Sequence, residues 1–239
     1  MSEQIGDGFP EGSGIFETIK TVGNRPIALG RHMRRALESA QALGITMPDE
    51  ESIRRAILDS ISSHPQEVGR LRLCFSVGKV DISHEPYSER IDPARLTLHS
   101  TTVKGSMYKS YPYTDRFALL KSANDEGFDD CILFNNQNQI TESSVANLIF
   151  RIKGQWITPP ISAGILPGVM RALAVEECGV KVQTIHISEI PDIASGLIIS
   201  SLRIAQPVSH IGEMRLQIDD AVKELERRLR ASAQPLSVG

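Results

Sequence analysis

Apolar and polar residues alternate along some stretches of the chain and recur at helical spacing along others, and each change of period marks a new element. "IFETIKTV" alternates as a strand and runs into the turn residues "GNRP". "LGRHMRRALESAQALGI" has helical periodicity and stops at Gly44. "MPDEESIRRAILDSISS" predicts a second helix, with acidic residues in its first turn where the helix dipole favours them. "GRLRLCFSV" and "ARLTLHSTTV" return to alternation, as half-buried strands of one sheet would. Residues 1–103 therefore read as a small α+β domain.

"KGSMYKSYPY" interrupts the pattern with Gly, Ser and Pro, so 104–109 is the expected interdomain loop and 110–239 the second domain. "TDRFALLKSANDEG" predicts a helix capped by Thr114 or Asp115 and stopped at Gly127. The strands "DDCILFN" and "QITESSVANLIFRI" follow, joined by the turn residues "NQNQ", and "RIKGQWITPP" folds back around Gly154. "LPGVMRALAVEECG" is a helix entered through Pro167 and Gly168. "VKVQTIHIS" and "GLIISSLRI" are expected strands, and "IDDAVKELERRLRASA" is an amphipathic helix.

Composition narrows the possible partners. With 41% hydrophobic residues over 239 positions, the chain can bury a sizeable core. A net charge of -3 supplies no basic field for nucleic acid or an anionic membrane. No apolar run is long enough to span a bilayer, and the polar, Gly-rich start "MSEQIGDGFPEGSG" is unlike a signal peptide. Cys74, Cys131 and Cys178 are odd in number and far apart, which suits reduced thiols in the cytoplasm. The six histidines lack metal-ligand spacing, so no metal is expected.

The candidate chemistry starts at Glu142, a carboxylate among the apolar and small residues of "QITESSVANLIF". Burying it is costly without a partner. It either pairs with a nearby Lys or Arg or faces a cation that is not a side chain, and a protonated pyridine nitrogen fits the second case. Lys109, in "SMYKSYPY", stands between aromatic and small residues just before a helix, where a partly apolar cleft would depress its pKa and permit a Schiff base. Lys104 and Lys121 are rivals, Lys121 falling on a helix where a solvated face is the simpler reading. "AGILPGVMRAL" leads into a helix start whose amides at Val169 and Met170 could receive an anion, or could form an ordinary junction. "IISSLR" adds hydroxyls at Ser200 and Ser201. "RHMRRA" offers Arg31, Arg34 and Arg35, mostly a solvated face, though one could reach a phosphate bidentately.

Lysine, carboxylate, helix start and arginine together suit pyridoxal phosphate. The segments "YKSYPYTDRFALLKSANDEGFDDCILFNNQNQITESSVANLIF" and "WITPPISAGILPGVMR" resemble the class IV aminotransferase family, as do "GIFETIK" and "ALGRHMRRALESAQALG". The resemblance implies an α+β, two-domain fold of fold type IV, like that of D-amino acid aminotransferases. It would have a small N-terminal α/β sandwich, a larger C-terminal pseudo-barrel, and a homodimer as the assembly. It further implies that Lys109 is the catalytic Schiff-base lysine, that Glu142 faces the pyridine nitrogen, and that Arg35 binds the phosphate. Val169 and Met170 would hold the phosphate through their amides, Leu166 would pack on the ring, and Ser201 would lend its hydroxyl. Asn147, also in the signature, reads as structural. Pro112 stands where the family often has Asn, and Ser143 replaces the usual Gly after the glutamate.

Two loops bear on the reaction. Met170 stands where the amino-acid aminotransferases usually carry Thr, and "SSLRIAQPV" resembles the corresponding loop of the family's 4-amino-4-deoxychorismate lyases. That resemblance implies release of pyruvate to leave 4-aminobenzoate, a folate precursor, with Arg203 either pairing with a substrate carboxylate or forming a structural salt bridge. A branched-chain or D-amino acid aminotransferase, and a degenerate relative that only binds, are the alternatives.

Overall fold

The computed structural model describes residues 9–103 and 105–234. Lys104 and most of the polar N-terminal stretch lie outside the described residues. In chain order the elements are β1 (Gly14–Val22), β2 (Arg25–Pro26), α1 (Leu29–Leu43), α2 (Glu50–Ser63), β3 (Val68–Ser76), β4 (Lys79–Pro86), β5 (Ala94–Leu98) and β6 (Ser110–Tyr111). They continue with α3 (Thr114–Asp125), β7 (Asp130–Phe134), β8 (Ile140–Ser143), β9 (Asn147–Ile152), β10 (Gln155–Thr158), α4 (Val169–Glu177), β11 (Lys181–Val182), β12 (Ile193–Ile199), β13 (Gln206–Ile211), β14 (Met214–Arg215) and α5 (Asp220–Ser232). Among the described residues, two compact units separate: 9–88 with 108–114, and 89–107 with 115–234. No helix among them is long and apolar enough to cross a membrane.

The first unit is an antiparallel sheet in the order β2-β1-β3-β4, with β6 also paired to β1. Side chains on a strand alternate between faces. Ile15 and Ile19 of β1, with Leu71, Leu73 and Phe75 of β3, therefore share one face, which packs on Ala36 and Ala40 of α1 and on Ile53, Ile57 and Ile61 of α2. Each large side chain fully buried here contributes roughly 1.5–3 kcal/mol. The opposite face carries Phe16, Cys74 and Tyr111, packed with Phe9 and Tyr113. Glu17 lies between Ile15 and Ile19 on the apolar, helix-packed face, and the period of two alone puts it there. Helix α1 stops as expected at Gly44, whose left-handed φ of 67° lets its N–H reach back to the carbonyls of Ala40 and Gln41.

The second unit is a nine-stranded sheet in the order β11-β10-β9-β12-β13-β5-β7-β8, with β14 on β13. Strand β5 runs parallel to both β13 and β7. This corrects the expectation that "GRLRLCFSV" and "ARLTLHSTTV" share a sheet. Alternation specifies a strand with a buried face but not the sheet that buries it; Ala94 and Leu96 join Leu148, Phe150 and Ile198 in the second core. A second correction concerns "VKVQTIHIS", which pairs as a strand only over Lys181–Val182, both exposed at the sheet edge. The chain then leaves the ladder and buries Ile185. The turn at Gly154 is a two-residue hairpin between Ile152 and Gln155. Lys153 and Gly154 both have positive φ, 50° and 78°, as the twist of such a hairpin requires.

Candidate active site

In the first unit the polar centre is a buried trio. His32, Arg35, Ala36, Ser39 and Ala40 recur at helical spacing and form the buried stripe of α1. That stripe lays Arg35 and His32 over Glu17 of β1. Arg35 donates to Glu17 from Nε at 2.8 Å and from Nη2 at 2.6 Å, and His32 Nδ1 lies 2.6 Å from Glu17 Oε2. Burial raises the pKa of Glu17, but the charges and hydrogen bonds of Arg35 and His32 outweigh it and hold the carboxyl at about 2. Burial pushes the pKa of His32 down, and the charges of Arg35 and Lys109 add to that against the pull of Glu17. Facing a carboxylate oxygen at 2.6 Å, His32 Nδ1 carries a hydrogen and donates it to Glu17 Oε2.

Lys109 belongs to the same unit. Its carbonyl accepts from Phe16 N–H at 2.8 Å, which continues the β6–β1 pairing and fixes the backbone at that point. The side chain is half-buried. Its Nζ stands 4.2 Å from the centroid of the Phe16 ring and 5.2 Å from that of Tyr113, so two aromatic faces seat the amine. The rival Lys121 is exposed and paired with Asp125 one turn on, a solvated helix face.

The second unit holds Glu142 on β8, where it is 5% exposed. The question of its cation has a direct answer: Arg116 of α3 donates from Nη2 to Oε1 at 2.8 Å and from Nη1 to the Ser143 carbonyl at 3.4 Å. The other oxygen, Oε2, accepts from the Leu166 N–H at 3.0 Å and from the Asn147 amide at 3.3 Å. Asn147 also donates to the Leu166 carbonyl at 3.1 Å. Its Oδ1 lies only 1.9 Å from where a Cβ on Gly168 would stand. Glu142, Asn147 and the segment Leu166–Gly168 thus form one hydrogen-bonded bracket.

That bracket ends on α4. Gly168 occupies the N-cap position in extended geometry, and no side chain caps the helix. The amides of Val169 and Met170 have no acceptor within the helix, and they sit at the positive end of its dipole. Both side chains are buried, while Leu166 is half-buried and keeps part of its surface.

A separate polar knot surrounds Asp130, which is fully buried. It accepts from Ser143 Oγ at 3.0 Å, Ser144 N–H at 3.0 Å and Cys131 N–H at 2.8 Å. Arg203 Nη2 lies 3.8 Å away, so the charge of Arg203 is set against a carboxylate of the chain itself. Ser201 lies beside it in the turn after β12, where Ser200 Oγ accepts from the Arg203 N–H at 3.3 Å.

Sequence reasoning missed Arg116, Glu17, His32 and Asp130. Arg116 is 26 residues from Glu142, on an element of another type, and nothing in spacing links them. Glu17 carried one usable signal, its place on the apolar side of an alternating strand.

Residues 14–211 match the model of the family described as amino-transferase class IV. A Schizosaccharomyces pombe protein provisionally named aminodeoxychorismate lyase is 29% identical over 176 residues, covering 70% of this chain and 74% of its own. A Legionella pneumophila structure provisionally named 4-amino-4-deoxychorismate lyase superposes with a TM-score of 0.85 at 22% identity, over 92% of this chain and 91% of that one. The branched-chain aminotransferase of Thermoproteus uzoniensis, solved with norvaline, gives 0.80 at 21% identity, over 91% and 84%. The α+β fold that the sequence resemblance implied is the fold these structures share with the chain.

Proposed function

This chain belongs to the amino-transferase class IV family, and on that premise we propose that it is a pyridoxal-phosphate enzyme releasing pyruvate from 4-amino-4-deoxychorismate to give 4-aminobenzoate. The observation that carries the cofactor is the bracket in the second unit. One buried carboxylate, Glu142, is hydrogen-bonded to the segment that opens an uncapped helix. A carboxylate favours a protonated ring nitrogen, and bare first-turn amides favour a phosphate. The amine of Lys109, half-buried over aromatic faces, completes the donor set.

Pyridoxal phosphate, when bound, supplies a sink for the electrons left on a substrate amine joined to it. The chain's residues then divide the work. Lys109 Nζ would hold the cofactor, and as a free amine it would serve as the base and acid for protons on the substrate. Glu142 keeps the ring nitrogen protonated, and Arg116 and Asn147 hold Glu142 in place. Arg35 of the first unit, and the amides of Val169 and Met170 with the hydroxyl of Ser201 of the second, would hold the phosphate, and Leu166 would offer its apolar surface to the ring. Arg203, balanced by Asp130, is structural.

The lyase branch is supported by Met170, by the "SSLRIAQPV" loop, and by the names of the Schizosaccharomyces and Legionella relatives. The chain acts as a homodimer in the cytoplasm, a reducing compartment that suits its three free cysteines. Incubation with 4-amino-4-deoxychorismate should yield 4-aminobenzoate and pyruvate. Borohydride reduction should leave a phosphopyridoxyl group on Lys109, located by peptide mass. Conversion of the bound cofactor to its amine form by amino acids alone, with no 4-aminobenzoate formed, would establish the aminotransferase instead. A wild-type protein with no trappable adduct at Lys109 would end the cofactor reading.

A further inference from the structure

We propose that Glu17 is a positioning residue that fixes the direction in which Arg35 presents its guanidinium to a phosphate group. The inference rests on the reading of Arg35 as a phosphate-binding arginine and adds a residue that reading does not contain.

The geometry is bidentate. Glu17 Oε1 takes Nε–H at 2.8 Å and Oε2 takes an Nη2–H at 2.6 Å, so one edge of the guanidinium is matched to the carboxylate plane. A guanidinium has five N–H donors in a rigid fork. Using two of them on Glu17 fixes the plane, and with it the direction of the rest. Glu17 is held in turn from two sides. Its backbone is locked in the β1–β3 ladder, opposite Leu73, and its Oε2 meets His32 Nδ1 at 2.6 Å. His32 and Arg35 are three residues apart and therefore share a face of α1. His32 and Glu17 are 0% and 1% exposed, and Arg35 is 8% exposed.

Two physical arguments separate positioning from simple attraction. A buried ion pair adds little net stability compared with apolar side chains of similar volume, so stability does not account for a carboxylate at this position. The charges also cancel: Glu17 offsets the positive charge of Arg35. If Arg35 acted on a phosphate through charge alone, Glu17 would weaken the interaction and its removal would strengthen it. If Arg35 acts through direction, removal of Glu17 weakens it. The two roles predict opposite signs.

The test compares pyridoxal 5'-phosphate with pyridoxal, titrated by absorbance into the full-length protein. The ratio of the two Kd values isolates the phosphate. In wild type this ratio should be large, and Arg35→Gln should collapse it. Glu17→Gln should lower it about tenfold, the loss expected for one misdirected charge-assisted hydrogen bond, while pyridoxal affinity stays within about twofold. Glu17→Asp keeps the charge but retracts it by one methylene, and should give a smaller fall; it decides the matter if the Gln variant fails to fold by circular dichroism. Glu17→Gln in the Arg35→Gln background should have no further effect. A ratio unchanged or increased in a folded Glu17 variant overturns the inference, as does an equal loss without Arg35. Absence of a phosphate effect in wild type instead overturns the cofactor reading itself, and the inference with it.

Discussion

Consider replacing Gly168 by alanine. The backbone there has φ -70° and ψ 140°, which any residue adopts, so strain in the main chain contributes nothing. The methyl group is the perturbation. Its ideal position is 1.9 Å from Asn147 Oδ1, against an ordinary contact of 3.4 Å or more, so the amide must retreat by 3.4 - 1.9, about 1.5 Å. Asn147 is buried and its Nδ2 donates to Leu166 O at 3.1 Å and to Glu142 Oε2 at 3.3 Å. A displacement of that size breaks both bonds. The neutral one is worth about 1 kcal/mol and the one to the carboxylate about 1.5–3, so the variant should lose about 2.5–4 kcal/mol. Equilibrium urea unfolding measures this directly, and for a chain of this size the Tm should fall by about 5–15 °C. Asn147→Ala removes the obstacle. In that background the added methyl should cost less than about 0.5 kcal/mol, a strongly non-additive cycle. A Gly168→Ala protein as stable as wild type, or one equally destabilised without Asn147, would show that the amide does not brace the entry to α4.

Further outcomes follow from the buried charges and thiols. Arg116→Met leaves Glu142 Oε1 without its guanidinium and should cost about 3–5 kcal/mol in urea unfolding, the range for a broken buried pair; a loss below about 1 kcal/mol would place the pair with surface bridges. Glu17 has its pKa depressed from 4.5 to about 2 in the fold, so its contribution is complete above about 4.5 and is lost as pH falls towards 2, up to about 3 kcal/mol in all. His32 is also depressed, from 6.5, so the unfolded chain takes up that proton first and stability should begin to fall below about pH 6.5. His32→Gln should flatten the limb below about pH 6.5, and an unchanged slope in urea midpoints against pH would contradict a buried imidazole with a depressed pKa. Burial pushes the thiol of Cys74 to about 11 and that of Cys131 to about 12, and raises Cys178. A disulfide reagent at about pH 8 should therefore find no reactive thiol until denaturant releases all three, and rapid native labelling would refute this.

Some of this could be read directly from the chain. Helix α1 and its stop at Gly44, the two-residue turn at Gly154 and the cap on α2 are local, decided by neighbours within a few residues. The Asp49 side chain accepting from the Ser52 N–H is such a case. The isolated carboxylate at Glu142 was equally visible, because a charged residue in an apolar strand is anomalous whatever surrounds it.

The partners of that carboxylate were not visible. Alternation marks β3 and β5 alike as half-buried strands, yet one lies against α1 and α2 and the other between β13 and β7. Arg116 meets Glu142, and Arg35 meets Glu17, across separations of 26 and 18 residues. Period and propensity act over a turn of helix or a pair of residues, so the sequence by itself determined the helices, the strands with strong alternation, and the one carboxylate, Glu142, set among apolar and small residues. Which charge neutralises which is decided by the folded chain, because a buried ion is stabilised only by the groups that packing brings within hydrogen-bonding distance.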